Sequence, residues 1–139
     1  MKDLIVRLTV IYNVAKDIHY QAHGIAFYGV HLLMDRVADG LNDYIDDIKE
    51  NLYLGRGIMP PSSREILKQA EVMIPDLPND DYAKVGQLAS IINGTIENIS
   101  ELVANTTELM NGDIALLDDI AKDLRKKLGL LKCTVNEII

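Results

Sequence analysis

The chain has 139 residues and a formal charge of −7. That length fits a single domain over residues 1–139, and an acidic balance disfavours a broad nucleic-acid surface, because phosphate binding depends on clustered Lys and Arg. With no Trp, one Phe and 48% hydrophobic residues, the core must be aliphatic, which favours helices packed on helices.

Apolar residues Leu4, Leu8, Ile11, Tyr12, Ala15 and Ile18 recur at spacings of three and four, predicting an amphipathic helix over 3–22 that ends at Gly24. A second helix is predicted over 26–54, with Val30, Leu33, Val37, Leu41, Tyr44, Ile45 and Ile48 as its buried stripe. Gly29 and Gly40 lie inside it and suggest close packing against another helix. The segment 55–63 is a loop by its Gly and Pro content, and Ser62 with Glu65 forms a capping-box pattern for a short helix over 64–71.

Pro75 and Pro78 interrupt the chain again. Asn79 or Asp80 then caps a third long helix, whose stripe Val85, Leu88, Ile92, Ile96, Ile99, Val103 and Met110 predicts continuation to about 110. After the Asn111-Gly112 turn, a last helix is predicted over 113–138, with Leu116, Leu117, Ile120, Leu124, Leu128 and Leu131 inward. The expected fold is all-α: a four-helix bundle with a short helix in the long crossover between helices 2 and 3, the ferritin-like connectivity.

The cluster Arg125-Lys126-Lys127 with Lys132 follows Asp118, Asp119 and Asp123, and reads as a solvated charged face. Cys133 is the only cysteine, so no intrachain disulfide can form. Neither a signal peptide nor a membrane span is legible, and the expected location is cytoplasmic. The five Met residues read as core, and Tyr20 as packing.

The chemistry concentrates between residues 19 and 50. All three histidines, His19, His23 and His31, lie within thirteen residues, and Asp35, Asp39, Asp46 and Glu50 follow. Imidazole beside carboxylate suits iron, zinc or manganese. On an uninterrupted helix Asp35, Asp46 and Glu50 fall within about 100° of His31, but the rise separates His31 from Glu50 by roughly 28 Å. One chain therefore cannot close a single site, whereas two antiparallel copies about a two-fold axis can. His19 stands as far before the turn at 24–25 as His31 stands after it, so the two share a height. His23, at the turn, is expected to be exposed or capping.

The pattern His19-x4-Gly24-x2-Phe27-x3-His31-x3-Asp35-x10-Asp46-x3-Glu50, within these helices, resembles Dps, the DNA-binding proteins from starved cells or mini-ferritins. The resemblance covers nearly the whole chain. It implies a dodecameric cage that oxidises Fe(II), preferentially with hydrogen peroxide, and stores ferric mineral. His19, His31 and Asp35 would come from one subunit and Asp46 and Glu50 from its neighbour, holding one or two irons per centre.

Several positions depart from the family pattern. Tyr20 and Gln21 stand where Trp and Asn are usual, and no Lys-rich tail precedes the first helix. Because twelve subunits at −7 would form a strongly negative shell, DNA binding is expected to be weak or not to occur. The acidic start of the last helix falls where the family builds iron-entry pores, with Asp118 the first candidate and Asp113 the second. Alternatives are a catalytically weak structural or nucleoid-associated cage, and a cage for zinc or manganese. A centre inside one bundle would need Glu-x-x-His motifs, and the sequence has none.

Overall fold

A computed structural model of the chain describes residues 1–136. It contains α1 (Lys2–Gln21), α2 (Phe27–Ala38), α3 (Leu41–Ile48), α4 (Ser63–Met73), α5 (Asp81–Asn105) and α6 (Asp113–Thr134). A wide π-helical turn, Lys49–Tyr53, and a 3-10 turn, Leu54–Arg56, follow α3. The described residues contain no strand, and α2 with α3 forms one bent rod, so the architecture is the expected bundle.

The first helix occupies the centre. It packs against α2, α3, α4 and α5, and α5 pairs with α6. Half of its residues are buried, among them Leu4, Ile5, Leu8, Ile11, Val14 and Ile18 with no exposed surface. Burying each such side chain contributes roughly 1.5–3 kcal/mol. The same core includes Met34 and Val37 of α2, Leu41 and Ile48 of α3, Ile66 of α4, Leu88 and Ile92 of α5, and Ile120, Leu124 and Leu131 of α6.

The caps differ from the sequence pattern in instructive ways. Ser62 accepts the Glu65 N–H at 3.2 Å, but the Glu65 carboxylate pairs with Lys2 at 2.7 Å, so only half of the capping box forms. Asp80 caps α5 through the Ala83 N–H. Ala22, not Gly24, terminates α1; Gly24 takes a left-handed φ of 79° in the turn beyond.

Three boundaries are corrected. The second helix is not continuous, because Asp39 is extended and Gly40 left-handed at φ 78°. A Cβ at Gly29 or Gly40 would meet nothing within 4 Å, so close packing inside the subunit is not their role. The fifth helix stops at Asn105, before Thr106-Thr107, since threonine disfavours a helix interior, and Met110 is exposed. The last helix stops at Thr134, and residues 137–139 lie outside the described set. Of the methionines, Met34 is fully buried, while Met59, Met73 and Met110 are exposed.

A buried ion pair anchors the α1–α2 turn to the bundle. The Lys84 ammonium meets the Asp81 carboxylate at 3.0 Å and the Gln21 carbonyl at 3.2 Å, and Asp81 also accepts the His23 N–H at 2.9 Å. Burial alone would push the Asp81 carboxyl up. The His23 N–H and Lys84 outweigh it, holding the carboxyl below the ordinary carboxylate value. Such a group adds stability above its unfolded pKa, and that stability is lost as pH falls through the lower folded value. Lys84→Met leaves the buried carboxylate alone and is expected to destabilise the protein by about 3–5 kcal/mol in urea unfolding at pH 7. The deficit should shrink as pH falls below the ordinary carboxylate range and Asp81 becomes protonated.

Candidate metal centre

His19, in the last turn of α1, and His31, in α2, meet across the hairpin as parallel rings 3.6 Å apart between centroids. His19 Nδ1 lies 2.8 Å from the His31 carbonyl oxygen, and His31 Nδ1 lies 2.6 Å from the His19 carbonyl oxygen. A carbonyl only accepts, so each Nδ1 carries the hydrogen and donates it. In the neutral ring Nε2 is then the nitrogen with a free lone pair. Fixing one ring nitrogen through an outer hydrogen bond is how proteins orient imidazole ligands. Phe27 extends the stack beyond His31 at 4.8 Å, and Tyr20 meets His19 edge-on at 4.8 Å. Tyr20 is otherwise exposed, so its packing is confined to that edge.

Asp35 stands one turn after His31 and reaches back, with Oδ1 3.4 Å from His19 Nδ1. Lys16, three residues before His19, places its ammonium 3.1 Å from the same oxygen. The Lys16 hydrogen bond is the main reason the Asp35 carboxyl sits below its ordinary value, with the nearby histidines adding to it. Lys16 was absent from the sequence reading, although the height argument that paired His19 with His31 also pairs Lys16 with Asp35.

Asp46 and Glu50 stand on the other side of the break, exposed, at the end of α3 and in the π turn. Hydrogen bonding to Asp46, followed by its like charge, raises the Glu50 carboxyl above the ordinary range. A pair of neighbouring carboxylates disfavours double ionisation, and a cation between them relieves the repulsion. Among the described residues no three His, Cys, Asp or Glu side chains converge within one chain to hold a metal. The structure thus groups His19, His31 and Asp35, groups Asp46 with Glu50, and keeps the groups apart. His23 is exposed, bonded through its backbone to Asp81.

The candidate pore residues also separate. Asp118 is exposed on α6. Asp113 is buried: its carboxylate accepts the Met110 N–H at 2.8 Å and pairs with Arg56, whose guanidinium also donates to the Glu108 carbonyl. Although burial pushes the Asp113 carboxyl up, Met110 and Arg56 outweigh it and hold the group low. Asp113 therefore closes the α5–α6 loop onto the turn after α3, leaving Asp118 as the acid free to face solvent.

A helical bundle with a long crossover carrying a short helix, and with its histidines and carboxylates on the first hairpin and the bent second rod, belongs to the ferritin-like class of folds. Among solved structures, a Dps1 point mutant from Mycobacterium smegmatis superposes with a TM-score of 0.75 at 21% identity, over 96% of this chain and 93% of that one. Mycobacterium smegmatis Dps in a tetragonal form gives the same score and identity, covering 96% of this chain and 84% of its own. These likenesses show the Dps fold along nearly the whole chain. No protein-family model and no curated protein matches the sequence.

Removing the Lys16 charge tests the first half of the centre. In Lys16→Met the Asp35 carboxyl is expected to titrate at higher pH than in the wild type, followed by its side-chain carbon shift in NMR. An unchanged midpoint would show that the ion pair does not persist in solution.

Proposed function

We propose that the chain is a mini-ferritin subunit that oxidises Fe(II) to Fe(III) at centres shared between two subunits and retains the ferric product inside a dodecameric cage. The supporting observation is the division of the donor set about Gly40. His31 and Asp35 stand nine and five residues before it, and Asp46 and Glu50 stand six and ten residues after it. A two-fold axis near Gly40 therefore carries the acidic pair of one subunit toward the imidazole–aspartate group of the other. A cleft of about 600 Å³ lined by Tyr12, Lys16, Asp35, Asp39 and Gly40 lies at this place and can receive a second copy.

The division of labour follows from the donors. The imidazoles offer oriented neutral nitrogens through Nε2, while Asp35, with Asp46 and Glu50 of the partner subunit, supplies anionic oxygens that favour Fe(III) over Fe(II). Loading must displace Lys16 from Asp35, and Asp35 must itself leave the Nδ1 edge of His19, where it lies 3.4 Å away, to join an ion held at Nε2. Two Fe(II) ions together supply the two electrons that reduce one hydrogen peroxide to two waters, with two protons taken up, and no hydroxyl radical is released. The exposed Asp118 is assigned to iron entry. The chain's net charge and the burial of Lys127, which removes one cation from the basic cluster, oppose DNA binding.

Sharing makes an unusual prediction. His31→Ala and Asp46→Ala should each abolish peroxide-driven ferric absorbance, yet refolding the two variants together should restore about a quarter of the wild-type centres. Half of the random dimers then hold one intact centre out of two. No recovery on mixing would refute the shared site, and wild-type rates in the single variants would refute the ferroxidase reading. Native mass should lie near twelve subunits.

Plasmid mobility at physiological salt should be unchanged by the protein. A retarded band would favour the nucleoid-associated cage.

A further inference from the structure

Lys127 reads in the sequence as part of a solvated basic face, but its side chain is 6% exposed. Its ammonium donates to the Asp39 carbonyl, meets the Asp123 carboxylate at 3.0 Å and lies 5.9 Å from the centre of the Tyr44 ring. Those three partners belong to both sides of the break and to α6. Asp39 is the last residue before Gly40, Tyr44 lies on the first turn of α3, and Asp123 is one turn back along α6. Asp123 also carries the nearest of the negative charges that, after burial, push the Tyr44 hydroxyl's pKa up.

A helix that stops leaves its last carbonyls without amide partners. At this break the Asp39 N–H closes onto the Asp35 carbonyl and the Tyr44 N–H onto the Gly40 carbonyl, while the Asp39 carbonyl faces Lys127. A buried ammonium is expensive unless its partners are fixed. Here a carboxylate, a carbonyl and an aromatic face provide them together.

We propose that Lys127 is a positioning residue: its ammonium clamps the Asp39–Gly40 break and so sets the direction in which α3 presents Asp46 and Glu50 relative to His31 and Asp35. The role rests on the shared-centre reading, because only a two-fold partner converts the bend of one rod into the geometry of a centre. Lys127 touches no candidate ligand. It acts through the backbone between the two donor groups, and a change in the bend angle displaces the acidic pair in proportion to its distance along α3 from the break.

Lys127→Met keeps the length and removes the charge. Leu131→Ala, a core truncation one turn further along α6, is the control for general destabilisation. In the full assembled protein, cobalt(II) serves as an air-stable probe of the centre through its visible absorption. Lys127→Met should weaken cobalt binding about tenfold or more, the range seen when outer partners of ligands are lost. It should also speed amide exchange over residues 39–45, leaving α1 and α5 protected. Leu131→Ala should lower the melting temperature and do neither.

Matching behaviour of the two variants would overturn the clamp. If Lys127→Met does not fold, Asp123→Asn removes the carboxylate charge that holds the Lys127 ammonium; faster exchange confined to 39–45 supports the clamp and unchanged exchange overturns it. A wild-type protein that takes up no cobalt overturns the shared-centre reading and the positioning role with it. Exchange at the break then still decides whether the clamp exists.

Discussion

Four of the five candidate donors ride on a helical rod that cannot be straight. Gly40 adopts a left-handed backbone that L side chains rarely take, and Asp39 before it is extended, so the helical ladder is interrupted between Asp35 and Asp46. The bend lets α3 continue along α1, burying Leu41 and Ile48, while α2 keeps Val30, Met34 and Val37 in the same core. The arrangement of the acidic pair relative to the imidazoles is therefore a property of the break, and through the break of the residues packed on it.

The two halves of the candidate centre differ in how firmly the subunit holds them. His19 is nearly buried, stacked on His31, and each ring is tied to the other's backbone carbonyl. Behind them, Lys84 and Asp81 fasten the hairpin turn to the start of α5. Asp46 and Glu50 are exposed, and among the described residues their side chains make no ion pair. The subunit thus fixes its imidazoles through packing and backbone hydrogen bonds and leaves the acidic pair to solvent.

Much of this was legible in the sequence because it follows from periodicity and from distance to a turn. The helical bundle, the crossover helix, the Ser62 and Asp80 caps and the His19–His31 juxtaposition all rest on local signals. The break at Gly40 was not legible, because a single glycine inside a strong apolar stripe is compatible with either a helix or a bend, and tertiary contacts decide. Lys127 was missed for a related reason. A lysine flanked by charged residues looks solvated, and only the partner offered by an unfinished helix end, 88 residues away in sequence, explains its burial. Lys16, by contrast, is legible from the same height argument that pairs His19 with His31, since it lies about as far before the turn as Asp35 lies after it.

The distribution of cations gives the centre its polarity. Lys16 neutralises Asp35 and Lys127 neutralises Asp123, whereas among the described residues no Lys, Arg or His side chain lies within ion-pair distance of Asp46 or Glu50. Their mutual repulsion is unrelieved in the single subunit. Lys16 and Asp35 cancel each other's charge on one side of the Gly40 break, whereas Asp46 and Glu50 hold like charges together on the other. The single subunit thus supplies a cation to one candidate donor group and withholds it from the other, and the break at Gly40 is what separates the two.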